Sequence, residues 1–140
     1  MKILVIGGNR FVGKKLVTKL LECHHTVTVL NRSGTGQIGT SKVKFDRNNK
    51  SDIKSFDFSE FDCIVDMCLF KPEQFDLIKD SISKDTNYIF VSSGAVDYID
   101  TNSFGDYAVE KVEVEKALSK TDINYKIIRP SYIVGMGNHR

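Results

Sequence analysis

Two prolines, three cysteines and no apolar stretch approaching 18 residues mark what this 140-residue sequence does not supply. Scarce proline with only ten glycines excludes a collagenous or low-complexity chain. Cys23, Cys63 and Cys68 are odd in number and lack metal-ligand spacing. Neither a disulfide framework nor a metal site is expected, and the thiols read as small buried groups of a reducing, cytoplasmic compartment. The apolar runs are too short to span a membrane. The opening MKILVIGG meets a glycine turn too early to be a secretory leader. What remains, 41% hydrophobic and 27% charged, is the composition of one globular domain over residues 1–140.

Charge is unevenly divided. Residues 1–50 carry ten Lys/Arg and two acids, Glu22 and Asp46, whereas residues 51–140 carry ten and sixteen. A basic first third suits an anionic ligand and equally a solvated basic surface. His24-His25 follow a helix end, where the dipole favours cations, and suggest no metal.

Short apolar runs alternate with helical periods. Lys2–Ile6 reads as a strand buried on both faces. Arg10–Glu22 is helical, with Val12, Leu16 and Leu20 at i, i+4 spacing. Thr26–Leu30 is a second strand, Ser33–Ser41 a loop, Val43–Asp46 a third strand and Ser51–Phe58 a weak helix. Asp62–Met67 is the fourth strand, and Pro72 opens a helix over 72–83 with Phe75, Ile78 and Ile82 on one stripe. Asn87–Ser93 is the fifth strand; a polar loop, a helix over Asp106–Lys120 and a sixth strand over Tyr125–Arg129 follow. This alternation predicts an α/β, doubly wound parallel sheet of order 3-2-1-4-5-6.

The first strand hands over to the first helix through GGNRFVG (Gly7, Gly8, Asn9, Arg10, Phe11, Val12, Gly13). Glycines at such a turn allow a pyrophosphate to approach backbone N–H groups at a helix N-terminus. Where an acid would grip a ribose 2′-hydroxyl, at the end of the second strand, the sequence has Asn31-Arg32. Arg10 and Arg32 favour a 2′-phosphate, hence NADP over NAD. Farther along, Tyr107 and Lys111 share a helix face, and the fifth strand ends in Ser92-Ser93. A tyrosine hydroxyl is a poor base near neutral pH unless a neighbouring cation stabilises its phenolate. Lys111 can supply that charge or hold ribose hydroxyls, and Ser93 can orient a substrate oxygen.

Taken in order, GGNRFVG, Asn31-Arg32, Asp46, SSGAV (Ser92–Val96), Tyr107…Lys111 and RPSYIVGMG (Arg129–Gly137) resemble the extended short-chain dehydrogenase/reductase family. The similarity is to its NAD(P)-dependent sugar epimerase/dehydratase branch. The resemblance implies a Rossmann fold with Gly7, Gly8 and Gly13 at the pyrophosphate and Phe11-Val12 closing the turn. It puts Asp46 at adenine and Met67-Cys68 under the ribose. Ser93 would orient substrate, Tyr107 act as base, Lys111 assist it, and the RPSYIVGMG loop touch nicotinamide and substrate. Arg10 stands in place of the middle glycine, Asp97 in place of an aromatic and Met136 in place of a proline; thirteen residues separate Ser93 from Tyr107. Family members continue into a smaller substrate domain, so the resemblance implies a cofactor-binding portion truncated at its C-terminus and inactive alone.

The function expected is the NAD(P)-binding part of an epimerase, dehydratase or reductase acting on a nucleotide sugar or similar small carbonyl or hydroxyl substrate. The alternative is a non-catalytic dinucleotide-binding module, a redox sensor or an RNA-binding relative. Nucleic acid is disfavoured because the positive charge lies in the cofactor half without interleaved aromatics. A homodimer through the helices beside the fourth and fifth strands is expected from the same resemblance.

Overall fold

Apolar residues that must leave water on both faces place three strands at the centre of the sheet. In the computed structural model, which describes residues 1–101 and 103–135, these are β1 (Lys2–Ile6), β2 (Thr26–Asn31) and β4 (Cys63–Asp66). Ile3 aligns with Val27 on one side and Cys63 on the other. With β3 (Ser41–Lys44), β5 (Asn87–Val91) and β6 (Tyr125–Ile128), all pairs are parallel and the order is β3-β2-β1-β4-β5-β6, as expected. Met136 and Gly137 of the RPSYIVGMG segment lie outside the described residues.

The period of two divides the core. Leu4, Ile6, Leu30, Ile64, Tyr88 and Phe90 pack on one face with Phe75, Val114 and Leu118. Ile3, Val5, Val27, Val29 and Val65 pack on the other with Val17, Leu16 and Leu20 of α1 (Phe11–Glu22). Helices α2 (Lys50–Ser55), α3 (Pro72–Asp76) and α4 (Gly105–Ser119) complete the crossovers. Among the described residues no helix is long and apolar enough to cross a membrane.

Three local expectations are corrected. The third strand is Ser41–Lys44 rather than Val43–Asp46: the Phe45 N–H makes the last bond to β2, at the Asn31 carbonyl, and the Asp46 side chain then turns the chain by accepting from the Asn48 N–H at 2.9 Å. The helix expected over 72–83 stops at Asp76 and resumes as a 3-10 turn over Lys79–Ser81. Ser81 Oγ donates to the Ile78 carbonyl at 2.6 Å, offering the backbone a partner outside an α-helix, while Phe75, Ile78 and Ile82 still bury their stripe. The polar loop expected after β5 is instead a kinked pair of 3-10 turns over Gly94–Thr101, with Ala95 and Val96 buried.

Candidate functional site

The glycine turn is held by contacts that only glycine tolerates. Gly7 has φ +90°, and a Cβ there would collide with Cys68 Sγ at the end of β4. A Cβ on Gly13 would lie 2.7 Å from the Gly7 carbonyl oxygen and 2.9 Å from Gly8 Cα, both backbone atoms. Arg10, standing where the resemblance expects a glycine, takes an extended conformation (φ −121°), and the left-handed φ falls on Phe11 at +34°. Such a backbone costs on the order of 1–3 kcal/mol and persists where the surroundings enforce it. No side chain caps α1 and no acid lies in its first turn. Its N-terminal N–H groups therefore lack a side-chain acceptor, the arrangement suited to an anion.

Asn9 and Asn31 tie this turn to the β2–β3 loop. Asn9 Nδ2 donates to the Thr35 carbonyl at 2.6 Å and Asn31 Nδ2 to the same oxygen at 2.7 Å. Asn31 Oδ1 accepts from the Ser33 hydroxyl at 2.7 Å. Both amides are occupied in shaping the loop, and nothing in the sequence pointed to Thr35. Arg10 and Arg32 are exposed, and Val12 is half-buried. Arg32, Lys44, Asp46, Asn49 and Asp52 line a cleft of about 410 Å³ beyond the ends of β2 and β3. Met67 packs against the α1-side core, and Cys68 is half-buried against Gly7. Burial pushes the Cys68 thiol up, with Asp66 adding to the shift.

At the other end of the sheet edge, Tyr107 is 40% exposed and Lys111 only 2%. The Lys111 ammonium donates to the Leu69 carbonyl at 2.8 Å and the Val91 carbonyl at 3.3 Å. It lies 4.8 Å from the ring centres of Phe70 and Phe90 and 5.9 Å from that of Tyr107. The i+4 spacing thus brings Tyr107 and Lys111 together, and the ammonium turns inward. Burial pushes its pKa down to about 8, with nearby Asp66, Cys68 and Glu115 opposing the shift. A lysine depressed in the fold binds fewer protons than in the unfolded chain between pH 8 and about 10.4, so stability rises with pH across that window. The expected gain is about 3 kcal/mol, read as the difference in urea-derived stability between the parent and Lys111→Met at pH 7 and pH 10.5. A difference that does not change with pH would show that the ammonium is solvated.

Ser93 Oγ accepts from the Ala95 N–H at 3.2 Å, while Ser92 is buried and donates to Glu115 Oε1 at 2.6 Å. Arg129 grips both Glu115 oxygens, at 3.0 and 2.5 Å, and reaches Asp97 at 3.0 Å. Burial would raise Glu115, but the hydrogen bonds from Arg129 and Ser92 outweigh it and hold the carboxyl below its usual range. This latch joins the ends of β5 and β6 to α4. The segment after β6 then lies over the site: the Gly94 N–H donates to the Pro130 carbonyl at 2.8 Å, and Gly135 sits beside the Phe11 ring. Glu115 is four residues beyond Lys111 on its stripe, a spacing that sequence reasoning passed over.

A second buried group was also missed. Asp66 is fully buried; it accepts from Arg47 Nη2 at 2.6 Å, Tyr88 Oη at 2.8 Å and the Cys68 N–H at 3.0 Å. A carboxylate inside an apolar strand was itself the signal, since burial demands a partner. Among the described residues no group of His, Cys, Asp and Glu could hold a metal.

Solved structures share this fold. A wide-type short-chain dehydrogenase/reductase from Veillonella parvula, in complex with NADP, superposes with a TM-score of 0.74 at 14% identity, over 91% of this chain and 68% of that one. The UDP-glucose 4-epimerase of Thermotoga maritima, with UDP-glucose, gives 0.67 at 17% identity, over 92% and 55%. The chain shares the fold of these structures, the doubly wound parallel sheet of order β3-β2-β1-β4-β5-β6. Among curated proteins, the chloroplast stem-loop binding protein of 41 kDa b from Arabidopsis thaliana is 28% identical over 99% of this chain. The chain spans 43% of that relative's length. No family model matches. Within this fold, Gly7–Gly13, Arg32, Asp46, Cys68, Ser93, Tyr107 and Lys111 all lie at or beyond the C-terminal ends of the parallel strands, where open α/β sheets hold ligands.

Proposed function

We propose that this chain is the cofactor-binding portion of an NAD(P)-dependent epimerase, dehydratase or reductase of the extended short-chain dehydrogenase/reductase family, with NADP preferred. The observation that carries the reading is the uncapped α1 N-terminus closed onto Gly7 and Gly8 by Gly13. The backbone of Gly7–Gly13 would hold the pyrophosphate, Asp46 the adenine, and Met67-Cys68 the floor beneath the ribose. When bound, the dinucleotide would accept and return a hydride. Tyr107, which is 40% exposed, would move a proton at its phenolic oxygen. Lys111 would favour the phenolate through its charge rather than through a direct hydrogen bond, because two backbone carbonyls already hold its ammonium. Ser93 would orient the substrate oxygen, and the substrate class is a nucleotide sugar or similar small carbonyl or hydroxyl compound. The second domain of the longer relatives would complete the substrate site.

The test is Tyr107→Phe in the protein extended by its substrate domain, assayed with nucleotide sugars and NADP. Loss of the hydroxyl should lower kcat by on the order of 10² to 10⁴. A parental kcat would move the function to a binding module. One such reading, recognition of an RNA stem-loop, is favoured by exposed Arg10, Lys14 and Lys15 beside the glycine turn and by the similarity to a stem-loop binding protein. Its signature would be hairpin binding whose affinity falls steeply with salt.

A further inference from the structure

We infer that Phe70 is a positioning residue for Lys111, a ring that covers the ammonium and must turn aside before a ligand hydroxyl can reach it; the inference rests on the dinucleotide-binding reading above. A lysine ammonium has three protons to donate. The Leu69 and Val91 carbonyls take two, and no oxygen of a described residue accepts the third. Three aromatic rings surround the ammonium instead: Phe70 and Phe90, with centres at 4.8 Å, and Tyr107 at 5.9 Å. Phe90 belongs to β5 and is fully buried, so of the three only Phe70 and Tyr107 reach water. Tyr107 is the proton-transfer group of that reading, which leaves Phe70, 42% exposed, as the cover.

The ring can turn while its backbone stays in place. Leu69 is fully buried, and Gln74 Oε1 accepts from the N–H groups of Phe70 at 3.1 Å and Lys71 at 3.3 Å. Gln74 Nε2 in turn donates to Asn48 Oδ1 at 3.1 Å, and the Lys71 ammonium pairs at 3.6 Å with Glu110, the residue before Lys111. The segment after β4 is thus pinned both to the β3–α2 connection and to α4. What remains free is rotation of an exposed side chain, a fast motion. Lys111 keeps both carbonyl bonds through that rotation, and its third proton becomes available to a ribose hydroxyl beside Tyr107. With the ring in place the ammonium stays out of water, in keeping with its pKa of about 8. Asp66 and Cys68 at the end of β4 and Glu115 on α4 oppose that shift, and Arg47 from the β3–α2 connection adds to it.

Calorimetric titration of the chain with NADP, joined to NMR titration of the Lys111 side chain, tests the assignment. Phe70→Ala should bind NADP about 3- to 30-fold more tightly than the parent, because no cation–π contact is given up on binding. In the same variant the Lys111 pKa should rise from about 8 toward the ordinary lysine value as water reaches the ammonium. Phe70→Tyr keeps the ring and should restore the parental affinity and pKa. Phe104→Ala, which removes an exposed ring at the start of α4, should change neither. In a Lys111→Met background, Phe70→Ala should leave NADP affinity unchanged. Parental affinity in Phe70→Ala, or an unmoved Lys111 pKa, would overturn the inference while NADP binding preserved the broader reading. Weaker binding, with or without Lys111, would overturn it in favour of a direct contact between Phe70 and the dinucleotide. A parent that binds no dinucleotide would overturn both.

Discussion

Asp66→Ala is expected to destabilise the chain by about 3–5 kcal/mol, because it leaves the Arg47 guanidinium buried without its counter-ion. Arg47 is only 8% exposed, and its Nε has no partner among the described residues even with Asp66 in place. The same substitution strips the acceptor from Tyr88, whose hydroxyl is also fully buried. Against a typical domain stability of about 5–15 kcal/mol the loss is large. Urea denaturation at pH 7 measures it. The triple variant Asp66→Leu, Arg47→Met and Tyr88→Phe should recover most of it, since a buried polar cluster replaced by well-packed apolar groups is often neutral. A loss under about 1 kcal/mol from Asp66→Ala alone would show that Arg47 swings out to water.

The second large effect is expected at Gly13. Valine there must displace the Gly7 carbonyl and the Gly8 backbone, neither of which has a flexible end to move. The helix would be pushed off the turn, at a stability cost of about 1–3 kcal/mol for an overpacked site. NADP affinity, read by calorimetry on the fraction still folded, should fall more than 100-fold, equivalent to about 2.7 kcal/mol of lost backbone contacts. A variant that folds and binds NADP like the parent would disconnect the glycine turn from the ligand.

How much was legible follows from how local each determinant is. KILVI announces a central strand by itself, and the glycine turn after it fixes the helix that must follow. The proximity of Tyr107 to Lys111 is equally local, a matter of helical period. The direction of the ammonium is not, because the carbonyls that receive it belong to Leu69 and Val91 from two other segments. Arg47 and Asp66 are nineteen residues apart on segments that do not pair, so no spacing rule links them. The β3 boundary slipped for a different reason. Val43 and Phe45 satisfy a strand pattern, yet only Val43 lies within β3 and Phe45 is the first residue past it. Asn9 was read as a cofactor contact from its place in the glycine turn and Arg32 from its charge where an acid is missing; that Asn9 also fastens the β2–β3 loop and Arg32 lines the cleft depends on residues remote from either.

The strand order also sets a timetable for synthesis. Of these six strands the one synthesised first is central, and one of its two neighbours, β4, lies sixty residues later in the chain, where Cys63 meets Ile3. At about 5–20 residues per second that neighbour arrives roughly 3–12 s after β1. During that interval β1 has β2 on one edge and open N–H and C=O groups on the other, with Ile3–Ile6 apolar throughout. The nascent chain is therefore most prone to aggregate before residue 66 emerges, and a chaperone that shields short apolar strands should act on it in that window.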